Sequence, residues 1–255
     1  MNEEYEGIEV RYRLEGMGEM EAMNRIEKIM CENLIRRGAA VSSVVSSEEA
    51  VEGAAGTKRK KDGDSMDWGS YHGLQDIEGF IIWLNATYPE LVNIDSSTKT
   101  SEGRPIYVVK VTDPSQPGPK KKIWIEGGIH AREWISPAVT TYLLNQVITN
   151  PEWIPIRDKT EWYFVPVANP DGYHYSHTST KARLWRKNRN NNSGSHCKGV
   201  DLNRNWNMQW GVGASQDPCS EIFMGRKPFS EAETRGLSLI MERVAPINLF
   251  ITFHR

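Results

Sequence analysis

Gly127-Gly128-Ile129-His130-Ala131-Arg132-Glu133-Trp134 follows directly on the apolar run Ile123-Trp124-Ile125. The run reads as a strand, the two glycines permit a tight turn, and His130, Arg132 and Glu133 emerge just past the strand's carboxyl end. In open α/β sheets ligands bind at that place. His130 and Glu133 form an H-x-x-E pair. An imidazole and a carboxylate are both zinc ligands, and two histidines with one glutamate leave a position open for water. The pair alone is a weak signal, and a buried histidine near a surface glutamate is the plain alternative. What lies downstream decides between them.

Working outward, Ile247 to Phe253 is a second continuous apolar run, and it ends in His254. Such a run reads as a strand buried on both faces. If the two strands lie side by side and parallel, His130 and His254 project from the same sheet edge. With Glu133 they then make three zinc ligands. Between these strands, Pro137 to Asn150 reads as a helix with Pro137 in its first turn, Glu161 to Val167 as a buried strand, and Asn169-Pro170-Asp171-Gly172 as a turn. Ser230 with Glu233 is a capping-box pattern, so a helix is expected from Ser230 to about Val244, before Pro246. Upstream, Trp68 to Leu84 carries helical periodicity, and Val92 to Ser97 with Ile106 to Val111 reads as a hairpin. Residues 173–229 hold little regular pattern but many Asn, Gly, Ser and Trp, which favours an ordered functional loop region. Strands alternating with helices indicate an α/β protein, and the hairpin makes the sheet mixed.

The first 66 residues read differently. A helix is expected from Glu19 to Arg37. Ala39 to Gly63, ending in Lys58-Arg59-Lys60-Lys61, has the composition of a disordered linker. The domain reading is a disordered extension over 1–66 and a catalytic-domain part over 67–255. The 255 residues are 38% hydrophobic and 25% charged, with a formal net charge of -2. That gives no case for nucleic acid as a partner. No apolar run is long enough to span a bilayer, and no signal peptide is visible at the start of the chain. Of the cysteines, Cys31 stands far from Cys197 and Cys219, so these two are the natural pair, with three free thiols as the alternative. A bridge would imply an oxidising compartment. Asn85-Ala86-Thr87 and Asn191-Asn192-Ser193 are glycosylation acceptors by pattern only.

The segments GGIHAREWISPA, FVPVANPDGY, RLWRKNR, GVDLNRNW, DPCSE and LFITFH occur here in that order. Together they closely resemble the zinc metallocarboxypeptidases of the pancreatic carboxypeptidase A and B type, from about Asp67 to His254. The His, His, Glu set is the known ligand set of carboxypeptidase A. The resemblance implies one zinc ion on His130, Glu133 and His254, with Asp201 orienting a ligand histidine. It implies that Asn203 and Arg204 grip the substrate's C-terminal carboxylate, since a guanidinium fork matches a carboxylate. Arg186 would stabilise the oxyanion, Arg132 would contact substrate, and Cys197–Cys219 would be the family's disulfide.

The fold expected is a three-layer α/β/α arrangement with a mixed, mainly parallel central sheet, zinc at the C-terminal ends of its strands, and an incomplete C-terminal end. The activity implied is zinc-dependent hydrolysis of C-terminal peptide bonds in a secreted, monomeric protein, with a peptide or protein C-terminus as partner. Family members continue past the third ligand and there supply a general-base glutamate, which has no match here. The chain as it stands is therefore expected to turn over poorly and, with the edge of Ile247–Phe253 uncovered, to associate. Two other readings are a zinc- and C-terminus-binding protein without turnover, and a zinc hydrolase of N-acyl amino acids.

Overall fold

The computed structural model describes residues 66–255 and the backbone of one strand near the N-terminus. In chain order the main elements are β1 (Glu9–Leu14), α1 (Leu74–Thr87), β2 (Val92–Asp95), β3 (Val108–Val111), β4 (Lys121–Glu126), α2 (Ile135–Thr149), α3 (Ile154–Arg157), β5 (Thr160–Val165), α4 (Pro170–Ser176), α5 (Ala232–Val244) and β6 (Leu249–His254). The six strands form one sheet in the order β1-β6-β4-β5-β3-β2. β6, β4 and β5 pair in parallel, and the outer pairings are antiparallel. The sheet is mixed as expected, with parallel pairing confined to its centre rather than being the main mode.

Alternation along each central strand divides the core in two. Ile123, Ile125, Trp162, Phe164, Leu249, Ile251 and Phe253 face one way, onto Ile77, Ile81 and Leu84 of α1 and Leu143, Leu144 and Val147 of α2. Trp124, Tyr163 and Val165 face the other way, onto Leu237 and Ile240 of α5. A strand has a side-chain period of two, so a strand apolar throughout must be covered on both faces. That accounts for the three layers. Truncating one of the fully buried residues, such as Leu143, to alanine would cost about 2–5 kcal/mol.

Several local expectations change. Helix α1 starts only at Leu74. Trp68 lies ahead of it, donating from Nε1 to Thr141 Oγ1 at 3.1 Å and packing edge-on against Phe80 and Tyr142. The Asn169–Gly172 turn is the start of α4, with Asn169 Oδ1 accepting from the Gly172 amide. The Ser230–Glu233 capping box does not form. Ser230 Oγ instead donates to Glu231 Oε1, and Glu233 turns inward to accept from Asn188 Nδ2.

The 1–66 segment contributes β1, whose backbone pairs with β6 in the register Glu9↔His254 to Leu14↔Leu249. The β6 edge expected to be open is therefore paired on both sides. The expected helix at Glu19–Arg37, Cys31, the linker and its basic run lie outside the described residues. Among the described residues no helix is long and apolar enough to cross a membrane.

Candidate metal centre

β4 and β6 are adjacent and parallel, with Glu126 opposite Thr252. Their carboxyl ends therefore share one edge, and the chain leaving β4 must turn sharply under α2. Gly127 makes this possible. A Cβ there would stand 2.4 Å from Thr140 Oγ1 and 2.8 Å from the Ser136 carbonyl oxygen, and Gly128 has φ +65°. Ser136 fixes the turn by accepting from the Gly128 amide at 2.9 Å and donating to the Glu133 carbonyl at 2.8 Å. Trp134 is the N-cap of α2, so the Glu133 carboxylate lies at the positive end of that helix.

The three expected ligands meet. His130 Nδ1 lies 2.9 Å from Glu133 Oε1, and His254 Nδ1 lies 3.1 Å from Glu133 Oε2 and 3.2 Å from His130 Nδ1. All three residues are buried. A tetrahedral zinc with Zn–N of about 2.0–2.1 Å sets its nitrogens about 3.3 Å apart. This donor set, two neutral-capable ring nitrogens and one carboxylate aimed at a common point, fits that ion. His130 Nε2 donates to Asp201 Oδ1 at 3.1 Å. Because an ionised carboxylate only accepts, that contact places the ring proton on Nε2 and leaves the Nδ1 lone pair for a metal. His254 Nε2 lies 3.4 Å from Thr252 Oγ1.

The electrostatics agree with this geometry. Burial alone would raise both carboxyls. When the His130 and His254 rings are protonated, their hydrogen bonds and charge outweigh it for Glu133 and hold the group at about 2; a metal takes the place of those protons. For Asp201 the bond to His130 and the nearby Arg186 do the same, again to about 2.

The remaining expected residues surround this point, though not all as free groups. Arg186 is tied to Asp201 Oδ2 through Nε at 3.1 Å and Nη2 at 2.9 Å, and its Nη1 stands 3.8 Å from Glu133 Oε1. Asn203 and Arg204 lie in the single 3-10 turn that Asp201 opens. The Arg204 guanidinium donates to the carbonyls of Gly213 and Asn203. Arg132 is half-buried and pairs with Glu221 Oε2 at 3.2 Å. Cys197 and Cys219 are bonded, and the loop they close carries Asp201, Asn203 and Arg204.

Two neighbours escape sequence reading. Arg183 donates to the Arg132 carbonyl at 2.7 Å, and its guanidinium lies 3.7 Å over the Trp134 ring, which also stacks on His177. It thereby pins the ligand-bearing turn. Its only sequence signal is its place three residues before Arg186. Glu126, at the end of β4, is buried and pushed up to about 7 by that burial. A carboxylate directly after the apolar run Ile123-Trp124-Ile125 was its signal.

Comparison with known proteins agrees with the geometry. The zinc carboxypeptidase family profile matches residues 77–255. Carboxypeptidase B of Astacus astacus is 43% identical over 194 residues, covering 74% of this chain and 62% of that protein. Carboxypeptidase A4 of Mus musculus is 40% identical over 202 residues, covering 76% and 47%. Bovine thrombin-activatable fibrinolysis inhibitor, solved in complex with tick carboxypeptidase inhibitor, aligns with TM-score 0.63 at 37% identity over 69% of this chain and 57% of that one. Carboxypeptidase A from Helicoverpa armigera shares the fold, with TM-score 0.70 at 24% identity over 94% and 67%. The chain spans about half to two thirds of the length of these relatives. With relatives of both the A and B kinds and the ligand set assembled, the chain belongs to the zinc carboxypeptidase family.

Proposed function

We propose that this chain carries the metal-binding and C-terminus-recognising part of a zinc-dependent enzyme that hydrolyses C-terminal peptide bonds. The observation that carries the reading is the convergence of His130 Nδ1, His254 Nδ1 and the Glu133 carboxylate within 2.9–3.2 Å, with the far nitrogen of His130 held by Asp201. Zinc bound there would polarise a carbonyl and lower the pKa of a water toward about 7.

The chain's own residues do the rest. Asp201 keeps His130 in the tautomer that binds metal. Arg186 is oriented by two bonds to Asp201, so Nη1 is the atom turned toward the metal ligands. A positioned donor of this kind beside a developing oxyanion contributes about 3–4 kcal/mol. Asn203 and Arg204 would select a free carboxylate, and Arg132 would meet the chain further from the scissile bond. The disulfide supports an extracellular setting.

A second reading, binding without turnover, has one observation in its favour. Glu133 and Asp201, the two carboxylates at the ligand cluster, are both committed, one to the metal point and one to His130 and Arg186. One experiment separates the readings. Zinc-loaded protein is incubated with a peptide bearing a free C-terminus and with its amidated twin. Release of the C-terminal residue from the free form alone, lost in Arg204→Ala, is the expected result. Binding of the free form without release selects the second reading, and equal handling of both peptides contradicts carboxylate recognition.

A further inference from the structure

A second group of metal-ligating side chains lies apart from His130, Glu133 and His254. His196 adjoins Cys197 in sequence, and its Nε2 sits 3.9 Å from Cys219 Sγ. One ligand atom from each of His196, Cys197 and Cys219 falls within 4.8 Å of the others. His196 and Cys219 are exposed and Cys197 is half-buried. While the two sulfurs are bonded to each other they are poor ligands, since metals are held by thiolates.

We propose that reduction of the Cys197–Cys219 bond turns this cluster into a second, thiolate metal site, taking zinc through Cys197 Sγ, Cys219 Sγ and His196 Nε2. The geometry needs little change. With Zn–S near 2.3 Å and Zn–N near 2.0–2.1 Å, a tetrahedral ion sets sulfur and nitrogen about 3.6 Å apart and two sulfurs about 3.8 Å apart. His196 already stands at close to that spacing from Cys219. The two sulfurs must separate, which is what reduction allows.

The redox step balances with a dithiol as reductant. One of its thiolates attacks a cysteine sulfur, forming a mixed disulfide and releasing the other cysteine as thiolate. The second thiol then attacks the mixed disulfide and leaves as a cyclic disulfide. Two electrons pass from the dithiol to the protein sulfurs. Zinc takes up both cysteines as thiolates, and their protons go to solvent. The fourth position is left to water.

The consequence is local to the loop between the cysteines. That loop carries Asp201, Asn203 and Arg204, and the disulfide holds its ends together. A zinc ion on the same two sulfurs and His196 would clasp the same ends under reducing conditions. The loop would then stay closed in either redox state.

The test is a cobalt titration of the full chain carrying Cys31→Ser, so that only the two thiols of interest report. One sample stays oxidised. The other is reduced anaerobically with a dithiol, which is then removed. The reduced protein is expected to take one equivalent of cobalt beyond the oxidised protein, with a thiolate-to-cobalt charge-transfer band that the oxidised protein lacks. Loss of zinc from the His130 site would not produce that band, so the two sites report separately. His196→Ala alters an exposed residue and is expected to weaken the thiolate site by about tenfold or more. Absence of the band in reduced protein would overturn the proposal. So would an unchanged affinity in His196→Ala, including the case where reduction abolishes the cooperative thermal transition and the unfolded chain binds cobalt regardless of His196.

Discussion

Replacing Asp201 by asparagine removes one negative charge from a position with no solvent exposure. The wild-type carboxylate accepts from His130 and the Asn203 amide on one oxygen and twice from Arg186 on the other. An amide of the same shape has only one accepting oxygen. Its NH2 must face either His130 Nε2 or the Arg186 fork, and both are donors. If it faces His130, the imidazole loses the partner that keeps its proton on Nε2. Partners of this kind carry about 10–100-fold in metal affinity, or about 1.4–2.8 kcal/mol. If it faces Arg186, a largely buried guanidinium loses its partner, and breaking such a pair costs about 3–5 kcal/mol of folding stability. Zinc competition against a chromogenic chelator measures the first effect, and thermal unfolding of the metal-free protein measures the second. Asp201→Asn is expected to show a tenfold or greater loss of zinc affinity or a clear drop in melting temperature. Zinc affinity within twofold of wild type, at unchanged stability, would refute the role given to Asp201.

Two further outcomes follow from named contacts. Burial, helped by the charges of Glu231 and Asp171, raises Glu233 from 4.5 to about 7, and its Oε1 has no partner among the described residues. Below pH 4.5 the group is protonated whether folded or unfolded, so it costs nothing. As pH rises to 7 the unfolded chain releases the proton first, and the folded state loses about 3 kcal/mol relative to a neutral side chain. Glu233→Gln is therefore expected to gain stability over wild type between pH 4.5 and 7, read from denaturation midpoints across that range; a constant difference would count against it. Gly127→Ala forces a Cβ to 2.4 Å from Thr140 Oγ1. It is expected to cost about 1–3 kcal/mol of stability, and an alanine variant melting with wild type would show that the turn has room to spare.

Much of the site was legible because strands and ligands occur together in the chain. β4 and β6 carry apolar side chains on both faces, each delivers a histidine at or just past its carboxyl end, and the parallel pairing brings both to one edge. The six ordered motifs then pointed to Asp201 and the disulfide, which the structure places at His130 and across the loop. The misses share a cause: short polar signals were read locally, whereas distant partners decide them. Asn169-Pro170-Asp171-Gly172 reads as a turn, but Asn169 caps a helix and its Nδ2 also donates to the Lys187 carbonyl. Ser230 and Glu233 have capping-box spacing, yet Asn205 and Asn188 draw them elsewhere. Trp68 and Tyr71 have helical spacing with α1, but Trp68 donates to Thr141 and Tyr71 packs edge-on against Trp134. β1 carried a signal that went unread: Val10, Tyr12 and Leu14 alternate with Arg11 and Arg13 at strand period, but its partner β6 lies about 240 residues away in sequence, so nothing nearby marked it as part of the sheet.

The central claim is that His130, Glu133 and His254 hold one zinc ion, and metal analysis of the oxidised protein tests it most directly. Wild type and His254→Ala are loaded with zinc, dialysed against metal-free buffer and measured for zinc per chain. Wild type is expected to keep one equivalent and His254→Ala less than about a tenth of it, since one of three protein ligands is gone. Equal zinc in the two proteins, whether full or trace, would contradict the account.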